Sequence, residues 1–306
     1  MSLVPGKEIL AEANRQGYAV GAFNFNNLEF LQAIVTAADH TETPVFIATT
    51  EGAIKYAGLD YIVAMAQTAT RSTKTPICLH LDHGRNLDVI RRCIDAGYTS
   101  VMIDASNLAF EENTAKTKAV VEIAHKKGVS VEAELGRLKG IEDNISVAER
   151  DSFLVDPEQA RRFVKATGVD SLAPAIGTSH GAFKFKGKPR LDFDRLHQVK
   201  ALTNGLPLVL HGASTVPREL LDRCQKSGVK IPGAQGVPEE QLIQAIKHGI
   251  NKVNVDTDLR LAFTAGVRTV LNENPGQFDP RKYLSPGRES VAELVKGKIL
   301  LFRQGR

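Results

Sequence analysis

PICLHLD (76–82), running directly into His83 and Gly84, is the stretch on which the fold reading turns. It is a short apolar run that reads as a buried parallel strand, and it ends in a carboxylate and an imidazole. Two later apolar runs also lead into an imidazole: SLAPAIGTSHG carries His180, and LPLVLHGAS carries His211. Imidazoles so far apart in the chain converge only if their strands are neighbours in one parallel sheet or barrel. The fold would then assemble a metal site at the carboxyl ends of the strands.

Outward from that stretch, apolar or β-branched runs recur at VGAFNF (20–25), PVFIAT (44–49), SVMIDA (100–105), VSVEAEL (129–135), DSLAPAI (170–176), LPLVLHG (206–212) and KVNVDT (252–257). The stretches between them have helical patterning: LEFLQAIVTAADH, LDYIVAMAQTAT, LDVIRRCIDAG, AKTKAVVEIAHKKG, PEQARRFVKATG and EEQLIQAIKHG. Several of these end in Gly, the common residue just past a helix. Eight βα units in a chain of this length predict a (β/α)8 TIM barrel, with a doubly wound open sheet as the alternative. The whole chain, 1–306, reads as one barrel domain with a C-terminal helical extension over about 259–306 that includes SVAELVKGKILLF. Residues 136–156, 181–192 and 213–238 are longer than a βα connection requires. On a barrel they open as loops at the catalytic face.

The 306 residues are 42% hydrophobic, enough to bury a barrel-sized core. A net charge of +4 arises from interspersed Lys and Arg, so no nucleic-acid patch is signalled, while small phosphorylated metabolites remain suitable partners. Cys78, Cys93 and Cys224 are odd in number and form no CxxC, against both a disulfide framework and a cysteine metal cage. A reducing cytoplasm fits. No segment has the length of a membrane span or the apolar region of a signal peptide.

The strand ends carry Asn24, Thr49, Thr50, Asp82, His83, Asp104, Glu132, Glu134, His180, His211, Asn254 and Asp256. A packed barrel core has no use for so many polar groups at one end, because each buried one without a partner costs roughly 1–3 kcal/mol. Neutral imidazole suits zinc, and three protein ligands leave it an open coordination position, which makes a catalytic rather than a structural site. Asp82, beside His83, stands where a general acid/base belongs, or else orients an imidazole. Glu134 is an alternative ligand, and Asp104 suits a supporting role. His80 falls inside its strand and reads as core or support for the site. His40, His125, His197 and His248 lie on or beside helices. GTSHGAFKFKGK with Lys184, HGAS with Gly212 and Ser214, and NVDT with Asn254, Asp256 and Thr257 look built for phosphate, through backbone N–H groups, hydroxyls and a helix N-terminus.

Taken in order, HLDHG, VEAELG, GTSHG, LVLHGAS and KVNVDTDLR resemble the class II fructose-bisphosphate aldolases, in the branch shared with tagatose-bisphosphate aldolases. The likeness runs from YAVGAFNFNN to DPRKYLSPGR. It implies a zinc enzyme that reversibly cleaves fructose 1,6-bisphosphate to dihydroxyacetone phosphate and glyceraldehyde 3-phosphate. The resemblance assigns one zinc to His83, His180 and His211, with Glu134 an occasional ligand. It makes Asp82 the acid/base at the substrate hydroxyl and Glu142, in GIEDN, the group that moves the proton at carbon. Gly181, Lys184, Gly212, Ser214, Asn254 and Thr257 would hold the ketose phosphate end beside a monovalent cation (K+, Na+ or NH4+). Asn24 and Thr50 would lie near the other end; Thr50 keeps the hydroxyl of the Ser-Glu-Gly that many relatives have. Asp256 would read the C4 hydroxyl, and Arg260 would reach the substrate of a neighbouring subunit in a homodimer or homotetramer. A tagatose-bisphosphate aldolase, a zinc hydrolase on the same barrel and a non-catalytic sugar-phosphate binding protein are the alternatives.

Overall fold

The computed structural model describes residues 3–136, 139–142, 145–147, 154–180 and 191–305, with 139–147 and 179–180 described through their backbone alone. Its strands are β1 (Val20–Asn24), β2 (Val45–Thr49), β3 (Ile77–Gly84), β4 (Ser100–Ile103), β5 (Ser130–Leu135), β6 (Lys139–Glu142), β7 (Ile145–Val147), β8 (Ser171–Pro174), β9 (Ser179–His180), β10 (Leu208–Leu210) and β11 (Ile250–Val255). Eight of them close a barrel in the order β1-β11-β10-β8-β5-β4-β3-β2. Every paired neighbour in it is parallel, with helices between successive strands, so the open-sheet alternative falls. Each apolar run named above supplies one barrel strand. Those strands are buried throughout, as parallel strands covered by helices must be.

The end of the barrel where the strands begin is closed by the helix Gly6–Gln16. Its Ile9, Leu10 and Ala13 pack against Val20, Ala22, Phe46 and Cys78. Val4 N–H donates to the carbonyl of Ile77, and Lys7 N–H to Ser130 Oγ, both at strand starts. A Cβ on Gly6 would lie 2.8 Å from the Phe46 ring, so glycine is what lets this plug seat.

Two helices follow β11, Thr257–Glu273 and Pro280–Phe302. They cross where Gly266 meets Pro286 and Gly287; a Cβ on Gly266 would stand 2.8 Å from the Pro286 carbonyl oxygen. The second of them packs on Leu28–Thr41, and Phe30 meets Phe263 at 5.0 Å between ring centroids. No described helix is long and apolar enough to cross a membrane.

Two of the connections expected to be loops contain regular structure. Residues 213–238 include the helix Arg218–Lys226, which buries only Leu220 and Cys224; its polar composition conceals it in the sequence. In 136–156 lie β6 and β7, which pair antiparallel, and β9 adds to β6 in parallel with Gly140 opposite His180.

Candidate active site

The site begins with an irregularity in β3. Its register on β4 shifts between Leu81 and Gly84, and His83 takes φ 49°, a left-handed conformation uncommon for a residue with a side chain. Gly84 permits the close approach that follows, since a Cβ there would lie 2.6 Å from the Met102 carbonyl oxygen. The bulge aims His83 at His211, which stands one residue beyond β10. His83 Nε2 and His211 Nδ1 are 2.8 Å apart, with the rings at 84°.

The other nitrogen of each ring is committed to a carboxylate. His83 Nδ1 donates to Asp104 Oδ2 at 3.1 Å, and His211 Nε2 to Glu132 Oε1 at 2.7 Å. A carboxylate only accepts, so these bonds fix both tautomers and turn two imidazole lone pairs toward one point. A shared cation is what that arrangement suits, and the donor set fits zinc. Ligand atoms of Asp82, His83 and His211 all lie within 4.8 Å of one another, as do those of His83, Asp104 and Glu134.

Asp104 is 6% exposed, so burial works to raise its carboxyl. The His83 hydrogen bond and the charges of His83 and Arg85 outweigh burial and hold it well below the usual carboxylate range. Arg85 donates to Asp104 from Nε at 3.0 Å and Nη2 at 2.8 Å. Ser106 Oγ bridges Asp104 Oδ1, at 2.8 Å, and Glu134 Oε1, at 3.1 Å. Burial lowers the His211 imidazole, and the neighbouring His83 lowers it further.

Asp82 is gripped by both oxygens. Asn24 Nδ2 donates to Oδ2 at 3.0 Å and Asn254 Nδ2 to Oδ1 at 2.9 Å. Asp82 Oδ1 is 3.9 Å from His83 Nε2, close to where the two imidazoles converge, while its hydrogen bonds tie it to the amides. The Oδ1 atoms of Asn24 and Asn254 are buried without a hydrogen-bond partner. An unsatisfied amide oxygen at this depth is costly, and a ligand hydroxyl would satisfy it.

Below these residues lies a second polar layer. Lys252, on β11, donates to Glu132 Oε2 at 2.9 Å and sits 3.4 Å from His80 Nε2, while His80 Nδ1 bonds Ser100 Oγ at 2.8 Å. The Lys252 contacts join β11 to β5 and β3, neither of them its neighbour, so they run through the barrel interior. Burial, reinforced by Lys252, pushes the His80 imidazole down to about 3. At Glu132 burial acts to raise the carboxyl, but Lys252 and His211 together hold it well below its ordinary range.

The remaining sequence candidates divide. Thr50 caps the helix Glu51–Ala57, its Oγ1 accepting from Ala53 N–H at 3.1 Å. Glu51 next to it accepts from the backbone N–H groups of Arg85 and Asn86, both at 2.8 Å. Gly212 takes φ 59°, and Ser214 is buried with its carbonyl accepting from Val237 N–H. Thr257 opens the helix that follows β11. Asp256 and Arg260 pair with each other, Oδ2 to Nη2 at 2.7 Å. The backbones of His180 and Glu142 lie in the small sheet, and Gly181 and Lys184 lie outside the described residues. Sequence reasoning missed Arg85 and Ser106; each falls within two residues of a residue it did single out. Cys78 and Cys93 are buried free thiols that burial pushes up to about 12, poor ligands at neutral pH.

The family model described as fructose-bisphosphate aldolase class-II matches residues 4–232 and 231–305. A fructose-bisphosphate aldolase of Helicobacter pylori is 56% identical over 300 residues, covering 98% of this chain and 97% of that one. One of Thermus caldophilus is 52% identical, covering 98% of both. Among solved structures, the YdjI aldolase from Escherichia coli K12 superposes with a TM-score of 0.80 at 31% identity, over 98% of this chain and 97% of that one. The chain belongs to the class II fructose-bisphosphate aldolase family.

Proposed function

We propose that the protein is a zinc-dependent aldolase that cleaves fructose 1,6-bisphosphate reversibly to dihydroxyacetone phosphate and glyceraldehyde 3-phosphate. The observation that carries this reading is the convergence of His83 and His211 on one point, with Asp82 held beside it by two asparagines. His83, His180 and His211 would hold one zinc, with Glu134 an occasional ligand. When bound, zinc supplies Lewis-acid polarisation of the ketone.

The chain's own groups do the rest. Asp82 takes the proton from the C4 hydroxyl; the C3–C4 bond breaks as C4 becomes the aldehyde of glyceraldehyde 3-phosphate, and Glu142 delivers a proton to C3. Asn24 and Asn254 fix both Asp82 oxygens and offer their amide oxygens to substrate hydroxyls. Gly181, Lys184, Gly212, Ser214, Asn254 and Thr257 would bind the ketose phosphate end, beside a monovalent cation, on loops of the catalytic face; Asn24 and Thr50 would lie toward the other end. Asp256 favours the fructose over the tagatose configuration at C4, and Arg260 reaches a neighbouring subunit's substrate in a homodimer or homotetramer. Three buried free cysteines suit work in the cytoplasm.

A coupled assay of triose phosphate release tests the reading. Activity should vanish on chelation and return with zinc, and borohydride should trap no substrate on a lysine. Chelator-resistant cleavage or a trapped lysine adduct would overturn it.

A further inference from the structure

Lys252 has no exposed surface at all, in a barrel interior that apolar side chains usually fill. Its ammonium meets Glu132 Oε2 at 2.9 Å, His80 Nε2 at 3.4 Å and the face of Phe46 at 5.4 Å from the ring centroid. Stability alone is a weak reason for such a pair, because buried ion pairs are often replaced by well-packed apolar residues with no loss. Its geometry supplies another reason. An ammonium can only donate, so it claims one Glu132 oxygen and leaves Oε1 to accept from His211 Nε2 at 2.7 Å. The Nε2 proton on His211 then leaves the Nδ1 lone pair facing His83 Nε2.

We propose that Lys252 is a positioning residue that acts through Glu132: by pinning one carboxylate oxygen it places the other against Nε2 and holds the His211 ring in the orientation that turns Nδ1 toward His83. The assignment rests on the reading of His83 and His211 as zinc ligands and extends it to a charge one residue removed from them.

The test is an apparent zinc affinity, read in competition with a chromogenic chelator, together with the imidazole ¹⁵N shifts of the metal-free protein. In Glu132→Gln, Lys252 claims the amide oxygen and the amide NH2 is turned on His211 Nε2. The proton of His211 moves to Nδ1, and zinc affinity falls by about 10–100-fold, the usual cost of losing a partner behind a ligand. In Glu132→Gln/Lys252→Met the donor is gone, the amide turns its oxygen to His211, and most of the loss is recovered. A merely structural ion pair predicts no such rescue. Wild-type affinity in Glu132→Gln, or a double variant no stronger than the single, overturns the assignment. Where Glu132→Gln does not fold, Lys252→Met decides: a zinc affinity about 10–100-fold below wild type supports the proposal, and wild-type affinity overturns it. His211→Ala separates the two levels, since retained zinc there defeats the reading of the site itself, whatever Lys252 does.

Discussion

Two polar layers share the interior of this barrel, and they treat the same chemical groups in opposite ways. In the lower layer His80 has Ser100 and Lys252 on its two nitrogens, and Glu132 has Lys252 and His211 on its two oxygens. In the upper one His83 sits in a left-handed backbone conformation, two imidazoles point at each other, and two asparagine oxygens are buried without partners. The fold completes the lower layer with its own side chains. It leaves the upper one to be completed by what binds there. Strain and incompleteness mark the chemistry better than the mere presence of histidines and carboxylates.

If that contrast is right, the largest effects come from the upper layer. Alanine at His83 or His211 should abolish zinc binding and cleavage together, because each removes one of the three imidazole ligands. Metal content and turnover of the purified variants check this; full zinc occupancy in His211→Ala would break the comparison at its root. Next comes Asp82→Ala, which removes a proton handler and leaves both imidazoles in place. A positioned acid/base contributes about 10²–10⁴-fold, so kcat should fall by that order while zinc is retained. Loss of zinc in this variant would make Asp82 a ligand instead.

A smaller effect attaches to Asp256, which directly follows β11 and is paired with Arg260. A hydrogen bond to a charged group is worth roughly 1.5–3 kcal/mol, or about 10–150-fold in kcat/KM. Asp256→Ala should lower activity on fructose 1,6-bisphosphate by about that factor and narrow the preference over tagatose 1,6-bisphosphate. The ratio of the two sugars in wild type and variant sharpens the boundary of the site; an unchanged ratio assigns Asp256 to holding Arg260.

The two layers were also unequally legible. The eight strands could be read because a parallel strand covered on both faces leaves a plain apolar run, and the polar ends of those runs named His83, His211, Asp82, Glu134 and Asn254. The partners could not be read. Lys252 and Glu132 meet across the barrel, and which residues of non-neighbouring strands touch depends on stagger and closure that no local pattern encodes. Asn24 was expected at the substrate, and its contact with Asp82 is visible only once β1 and β3 stand in the same barrel. The helix Arg218–Lys226 was hidden because two buried residues give too weak a period to separate it from a loop.

The smallest effect belongs to the lower layer and concerns stability rather than turnover. His80 titrates near 6.5 when unfolded, but in the fold burial and Lys252 bring it down to about 3. Between those values the unfolded chain binds a proton that the folded chain does not. The unfolded state is therefore favoured as pH falls, so this contribution to stability is complete above about pH 6.5 and drains away on acidification toward pH 3. A single such group changes unfolding free energy by up to roughly 1.4 kcal/mol per pH unit. His80→Gln keeps an oxygen for Lys252 and an amide for Ser100 but cannot titrate. Denaturant unfolding of the metal-free protein at several values between pH 4 and 6 should show a shallower pH slope in His80→Gln, by about one proton's worth. An equal slope in both proteins would mean that His80 accepts a proton inside the barrel, and the lower layer would then be as incomplete as the upper one.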